Sequence, residues 1–159
     1  SKGASGIEKT IFGSVAATAL EMAKVPVLVI PPKYSFRPIE EIVLASDLGE
    51  VSPGILSPLQ MLANKFDSKV TMLNVISEER KSAPQKNEFN LRGVETIYRE
   101  VPISGSINES INGFIKKNNF DLLCMVRREK GFFEGLFKRS VTTAQVYNSE
   151  IPLLVIPEF

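Results

Sequence analysis

Residues 14–31 read SVAATALEMAKVPVLVIP, and residues 140–157 read SVTTAQVYNSEIPLLVIP. At an offset of 126 residues, Ser14/Ser140, Val15/Val141, Pro26/Pro152, Leu28/Leu154, Val29/Val155, Ile30/Ile156 and Pro31/Pro157 are identical, seven of 18 aligned positions. Each copy reads as a helix followed by a short apolar strand. An ordered echo at fixed spacing marks a repeated structural unit. The first copy stands at the start of the chain. The sequence is therefore expected to hold the tail of one unit (1–32), a linker (33–38) and one entire unit (39–159).

Working outward, the first copy predicts a helix over Ile7–Lys24. Its apolar face is Ile11, Val15, Ala19 and Met22, with Leu20 and Ala23 beside them. Pro26 stops the helix, and Val27–Ile30 is a continuous apolar run expected to be buried on both faces. Tyr34 and Phe36 mark the linker. Beyond it the chain alternates. Strands are predicted over Glu41–Ala45, Lys69–Ile76, Val94–Val101, Leu122–Val126 and Leu153–Ile156. Val94–Val101 mixes polar and apolar residues and so belongs at an edge. Helices are predicted after Pro58, through Leu59, Leu62, Ala63 and Phe66, with Ser52 or Ser57 as cap. Another runs over Ile107–Asn118, capped by Ser106, with Ile107, Ile111, Phe114 and Ile115 inward, and a last one over Ser140–Ser149. The polar stretch 77–92 supports at most one short helix. Strand–helix alternation of this kind specifies an α/β fold with a parallel, helix-covered sheet. Ligands of such sheets sit off the carboxyl ends of the strands. The turn after Ala45 and the loop after Val126 are expected to meet there.

Composition narrows the chemistry. With 159 residues, 43% hydrophobic and 23% charged, the chain is that of a globular protein. A net charge of +1 gives no electrostatic case for nucleic acid or an acidic membrane. No apolar run reaches the roughly 18 residues of a membrane span. The single cysteine, Cys124, excludes an intrachain disulfide and fits a reducing, cytoplasmic setting. The absence of histidine excludes Ser-His-Asp and Cys-His nucleophile pairs and the usual histidine-containing zinc sites. Mg²⁺, which needs only oxygen ligands, stays open. Cys124 and all four methionines, Met22, Met61, Met72 and Met125, are expected in the core.

Gly3, followed by nine residues and then Gly13-Ser14 at the front of a helix, has the pattern of a phosphate cradle. Glycines let backbone N–H groups approach phosphate oxygens, and a helix N-terminus with a hydroxyl completes the anion site. The same residues also suit an ordinary loop and cap. The run K-G-A-S-G-x₆-G-S-V, a helix and P-V-L-V-I-P resembles the C-terminal quarter of a universal stress protein domain. The unit from Ile39 onward, with a strand ending in Ser46-Asp47, resembles the whole domain. The resemblance implies a tandem arrangement and a Rossmann-like open five-stranded parallel sheet in strand order 3-2-1-4-5, with helices on both faces. It implies that Gly3, Gly13, Ser14 and Val15 hold the phosphates of ATP in the first unit, and that Asp47 faces the adenosine in the second. It also implies antiparallel pairing of last strands, here Val27–Ile30 with Leu153–Ile156, and self-association as a homodimer.

The second copy departs from the family motif. Val126, Glu129 and Arg139 stand where its glycines belong, and only Ser140 is retained. A glutamate repels phosphate, and side chains at these positions restrict backbone approach. The second unit is therefore expected not to bind ATP. Arg127, Arg128, Lys130, Lys138 and Arg139 read as a solvated basic loop, and Phe132, Phe133 and Phe137 as either a binding edge or a lid. The resulting expectation is a stress-response module that binds a nucleotide or a partner. The alternative is a slow ATPase or nucleotidyl-transfer enzyme on the same fold.

Overall fold

A computed structural model of the chain describes residues 13–46, 54–76, 91–128 and 150–158. Its elements are α1 (Gly13–Met22), β1 (Val27–Val29), β2 (Glu41–Ser46), α2 (Ser57–Phe66), β3 (Lys69–Ile76), β4 (Thr96–Pro102), α3 (Ile107–Lys117), β5 (Leu122–Arg127) and β6 (Leu153–Pro157). They form one six-stranded sheet in the order β1-β6-β5-β2-β3-β4. β2 to β6 are mutually parallel and keep the expected 3-2-1-4-5 order. The sheet is one strand wider than the five expected, because β1 adds to its end antiparallel to β6.

Both faces of the sheet are covered. Alternate residues of each strand point to opposite sides. On one side Val43, Ala45, Leu73, Val75, Leu123, Met125, Leu153 and Val155 pack with Leu20 of α1 and Ile111 of α3. On the other, Ile42, Leu44, Val70, Met72, Leu122, Cys124, Leu154 and Ile156 pack with Leu59 and Ala63 of α2. β3, β5 and β6 accordingly read as nearly unbroken apolar runs. β4 is the outer strand at the other edge, with its mixed sequence half in water.

The β1–β6 register carries the repeat into space. Leu28 stands opposite Leu154, its own equivalent at the 126-residue offset. Val27 faces Val155 and Val29 faces Leu153. A local two-fold thus passes between the leucines. The two copies nonetheless differ in burial: Leu154 and Ile156 are 7% and 2% exposed, whereas Leu28 and Ile30 are 46% and 55% exposed. β6 lies between β5 and β1, while the outer edge of β1 has no strand beside it among the described residues. The expectation that Val27–Ile30 is buried on both faces is therefore corrected.

Two helix assignments also change. In α1 the sheet takes Ala16 and Leu20, four residues apart, and leaves Val15 and Met22 exposed. The alanines make both stripes of this helix apolar, so spacing alone does not choose between them. In α2 the cap is Leu56, with no side-chain capping bond, and Ser57 lies inside the first turn. Pro58, the next residue, has no N–H for a capping oxygen to serve. Met61 is exposed on the outer side of this helix, so only Met72 and Met125 of the four methionines are core. By contrast Ser106 caps α3 as expected: its side chain accepts from Glu109 N, and the Glu109 carboxylate accepts from Ser106 N.

The linker is fixed by one carboxylate. Asp121, just before β5, accepts from the backbone N–H groups of Glu40 and Glu41 at 2.9 Å each. Its other oxygen lies 2.9 Å from the Arg37 guanidinium. Leaving two strand-entry donors unpaired costs more than losing a half-exposed ion pair. We expect Asp121→Ala to lower unfolding free energy by about 2–3 kcal/mol and Arg37→Ala by about 0.5–1 kcal/mol, as read from urea denaturation. Equal effects of the two substitutions would refute this ranking.

Candidate functional site

Strand order reverses between β5 and β2, whose neighbours lie on opposite sides of the pair. The crevice of a sheet with this topology opens at the carboxyl ends of those two strands. Ser46 ends β2 and Arg127 ends β5. These are the two places singled out by the turn after Ala45 and the loop after Val126. Of the nominated residues, Gly3, Asp47 and Ser140 lie outside the described residues, as do Phe132, Phe133 and Phe137.

Gly13, Ser14 and Val15 form the first turn of α1, and Val15 is 83% exposed. They are not part of the β2–β5 crevice. The Arg127 guanidinium donates to the backbone carbonyls of Glu21 and Ala23, so the C-terminal end of α1 is the end beside the carboxyl end of β5. The first turn is at the other end of this ten-residue helix, about 15 Å away along its axis. The Gly13-Ser14 turn of α1 and the strand-end residues of β2 and β5 are separate places on the molecule.

Arg127 and Arg128 do not form a solvated basic loop. Arg127 places its charge on the α1 carboxyl terminus, where the helix dipole favours a cation. Arg128 and Glu158 face each other at 3.8 Å, each side chain 17% exposed. Glu158 N also donates to Arg127 O at 2.8 Å, tying the residue after β6 to the end of β5. Both arginines are committed to structure.

Polar groups that sequence patterning did not nominate gather at the carboxyl end. Ser46, Asn74 and Glu100 stand in one register row across β2, β3 and β4. Asn74, 1% exposed, donates to the Tyr98 hydroxyl, which donates to Glu100 at 3.2 Å. Burial, followed by the Glu100 side chain, raises the Tyr98 pKa. The signal was a single Asn near the end of the apolar run KVTMLNVI. At the start of α3, Asn108 is 5% exposed and its Oδ1 has no hydrogen-bond partner among the described residues. Elsewhere a groove of about 580 Å³ runs between α2 and the rim of β6, lined by Pro26, Ile55, Pro58, Met61, Lys65 and Ile156. No group of three or more His, Cys, Asp or Glu side chains suited to a metal occurs among the described residues. No helix among them is long and apolar enough to cross a membrane.

Two measurements check these assignments. Replacing Arg127 with Met removes charge-assisted bonds to two helix carbonyls, and amides at the end of α1 should exchange with deuterium about tenfold faster or more. Unchanged exchange would show that Arg127 does not hold the helix. Cys124 is fully buried and its thiol pKa is raised by desolvation. It should resist Ellman's reagent in buffer and react fully in denaturant; rapid native labelling would contradict its placement.

Comparison with known proteins bears on what this site is. A family model described as the universal stress protein family matches residues 77–157, just over half the chain. A universal stress protein from Archaeoglobus fulgidus DSM 4304 superposes with a TM-score of 0.66 at 18% identity, over 95% of this chain and 56% of that one. A functionally unknown protein from Pseudomonas aeruginosa PAO1 gives 0.60 at 14% identity, over 95% of this chain and 58% of its own. A universal stress protein in complex with cAMP gives 0.53 at 14% identity, over 76% of this chain and 98% of its own. No curated protein matches the sequence. This chain thus spans little more than half the length of the Archaeoglobus and Pseudomonas proteins, and at these identities the likeness is one of fold. With the sequence match over 77–157 and the shared architecture, the chain belongs to the universal stress protein family.

Proposed function

We propose that this chain is a cytoplasmic stress-response module that binds an adenine nucleotide, or a partner under its control, rather than a catalyst. The observation that carries this reading is the β5–β2 switch point, where Ser46 and Arg127 end adjacent strands of a universal stress fold. In the unit from Ile39 onward, Val126, Glu129 and Arg139 replace the cradle glycines, so its crevice suits a ligand with few phosphates. The cAMP bound by a protein of this fold is a ligand of that kind. Gly3, Gly13 and Ser14, at the front of the repeat's first copy, are assigned to ATP with Mg²⁺ in a complete first unit.

The same reading takes residues 1–32 as the last helix and strand of one universal stress unit, 33–38 as a connector and 39–159 as a second unit. The two-fold between Leu28 and Leu154 supports it, as does the greater length of the Archaeoglobus protein. β6 has β5 on one side and β1 on the other, so last-strand pairing is made within the chain. The surface left for self-association is α1–β1, which holds Val15, Met22, Val25, Leu28 and Ile30, all exposed.

Titration calorimetry with cAMP, AMP and Mg-ATP tests the nucleotide reading. We expect cAMP or AMP to bind at least tenfold more tightly than ATP, with no phosphate release above background. Absence of heat with all three removes the reading, and turnover of ATP favours the hydrolase alternative. Light scattering at micromolar concentration is expected to give a dimer that Leu28→Lys converts to a monomer; a monomeric parent protein refutes the assembly.

A further inference from the structure

We infer that Asn108 is a ligand-binding residue whose side-chain oxygen accepts a hydrogen bond from an N–H donor of a bound heterocycle, such as the exocyclic amine of adenine. Asn108 is 5% exposed, and its Oδ1 has no partner among the described residues. A buried acceptor left bare costs free energy, and folded proteins keep few of them. A ligand, an ion or a water is the usual reason for one that persists.

The rest of the helix start is internally satisfied. Ser106 Oγ accepts from Glu109 N at 3.1 Å, and the Glu109 carboxylate accepts from Ser106 N at 2.9 Å. Ser110 Oγ accepts from Ser104 N at 2.8 Å and donates to Ser106 O at 2.9 Å. The orphan is therefore confined to one atom and does not reflect a poorly formed terminus. Its position is also specific. Asn108 lies one turn before Ile111, which is fully buried against Val43, Ala45, Leu73 and Val75. α3 follows β4 and leads into β5, a strand parallel to it in the same sheet, so it returns antiparallel to the strands. Asn108 is then about 4.5 Å further than Ile111 toward their carboxyl ends. That is the side of the sheet where ligands of this topology bind.

Chemistry selects the kind of group. An amide oxygen accepts from donors and repels phosphate. It suits the base end of a nucleotide. This inference rests on the nucleotide reading above and assigns one residue of that site to the base.

The test uses the 159-residue chain, with adenosine and purine riboside as probes. Purine riboside lacks only the exocyclic amine. Wild type is expected to bind adenosine about tenfold more tightly than purine riboside by calorimetry. Asn108→Leu, which keeps the branching at Cγ and removes the bare acceptor, is expected to bind the two equally and to melt no lower than wild type without ligand. If wild type binds neither probe, the nucleotide reading itself fails. If wild type binds both equally, or Asn108→Leu still prefers adenosine, the assignment of Asn108 is overturned while the nucleotide reading stands. A lower ligand-free melting temperature with unchanged discrimination would mark a structural, water-bound asparagine and likewise overturn it. The wild-type comparison of the two probes needs no variant to fold.

Discussion

The fold rests on keeping both faces of four strands out of water. β2, β3, β5 and β6 carry apolar residues at nearly every position, so neither face can be left to solvent. Burying a side chain of the size of Leu or Ile contributes about 1.5–3 kcal/mol, and each strand offers several. Helices must then lie on both sides, which requires parallel strands joined by crossovers. Once the crossovers are right-handed, the strand order fixes where α2 and α3 sit and where the order reverses. The crevice at the carboxyl ends of β2 and β5 is a consequence of that burial. It is not an added feature.

The end of the sheet shows the same constraint only partly met. The Leu-Val-Ile-Pro of residues 28–31 recurs at 154–157, yet β6 is sealed between two strands while Leu28 of β1 and Ile30 just after it stand in water. The chemistry of the two strands is the same, and only the neighbours differ. Six of the eight large apolar side chains left exposed among the described residues fall between Val15 and Phe36. Within the chain the joint is held by polar anchors as well as by apolar contact. Arg127 grips the end of α1, and Asp121 fixes the chain where the linker enters β2.

Much of this was legible in the sequence. The span of β3, the edge position of β4 and the Ser106 cap follow from period and composition, and the family resemblance implied the antiparallel meeting of Val27–Val29 with Leu153–Val155. Patterns failed where two answers were locally equivalent. In α1 both Ala16/Leu20 and Val15/Ala19/Met22 make an apolar stripe, and only contact with the sheet selects the first. Arg127 and Arg128 look like loop charges because their partners, the carbonyls of Glu21 and Ala23 and the carboxylate of Glu158, are remote or follow another element. Asn108 carries no local signal, and Asn74 only its place near the end of an apolar run. An asparagine in a helix or strand has the same letter whether its amide is in water, paired or bare.

What the sequence determined by itself is the strands and helices of the described residues, their alternation and the echo of Leu28–Pro31 in Leu154–Pro157. These depend on short-range chemistry: which residues propagate a helix, which favour a strand, and which repeat at a fixed offset. The tertiary structure decided which face of α1 is buried, that β1 closes onto β6 of the same chain, and that it is the C-terminal end of α1, not Gly13-Ser14, that meets the end of β5. It also decided that Asn108 is buried, with no hydrogen-bond partner for its Oδ1 among the described residues. Each of these depends on what residues far away in sequence do with their own surfaces. A side chain's burial and its hydrogen-bond partners are properties of the packed whole, and no local pattern encodes them.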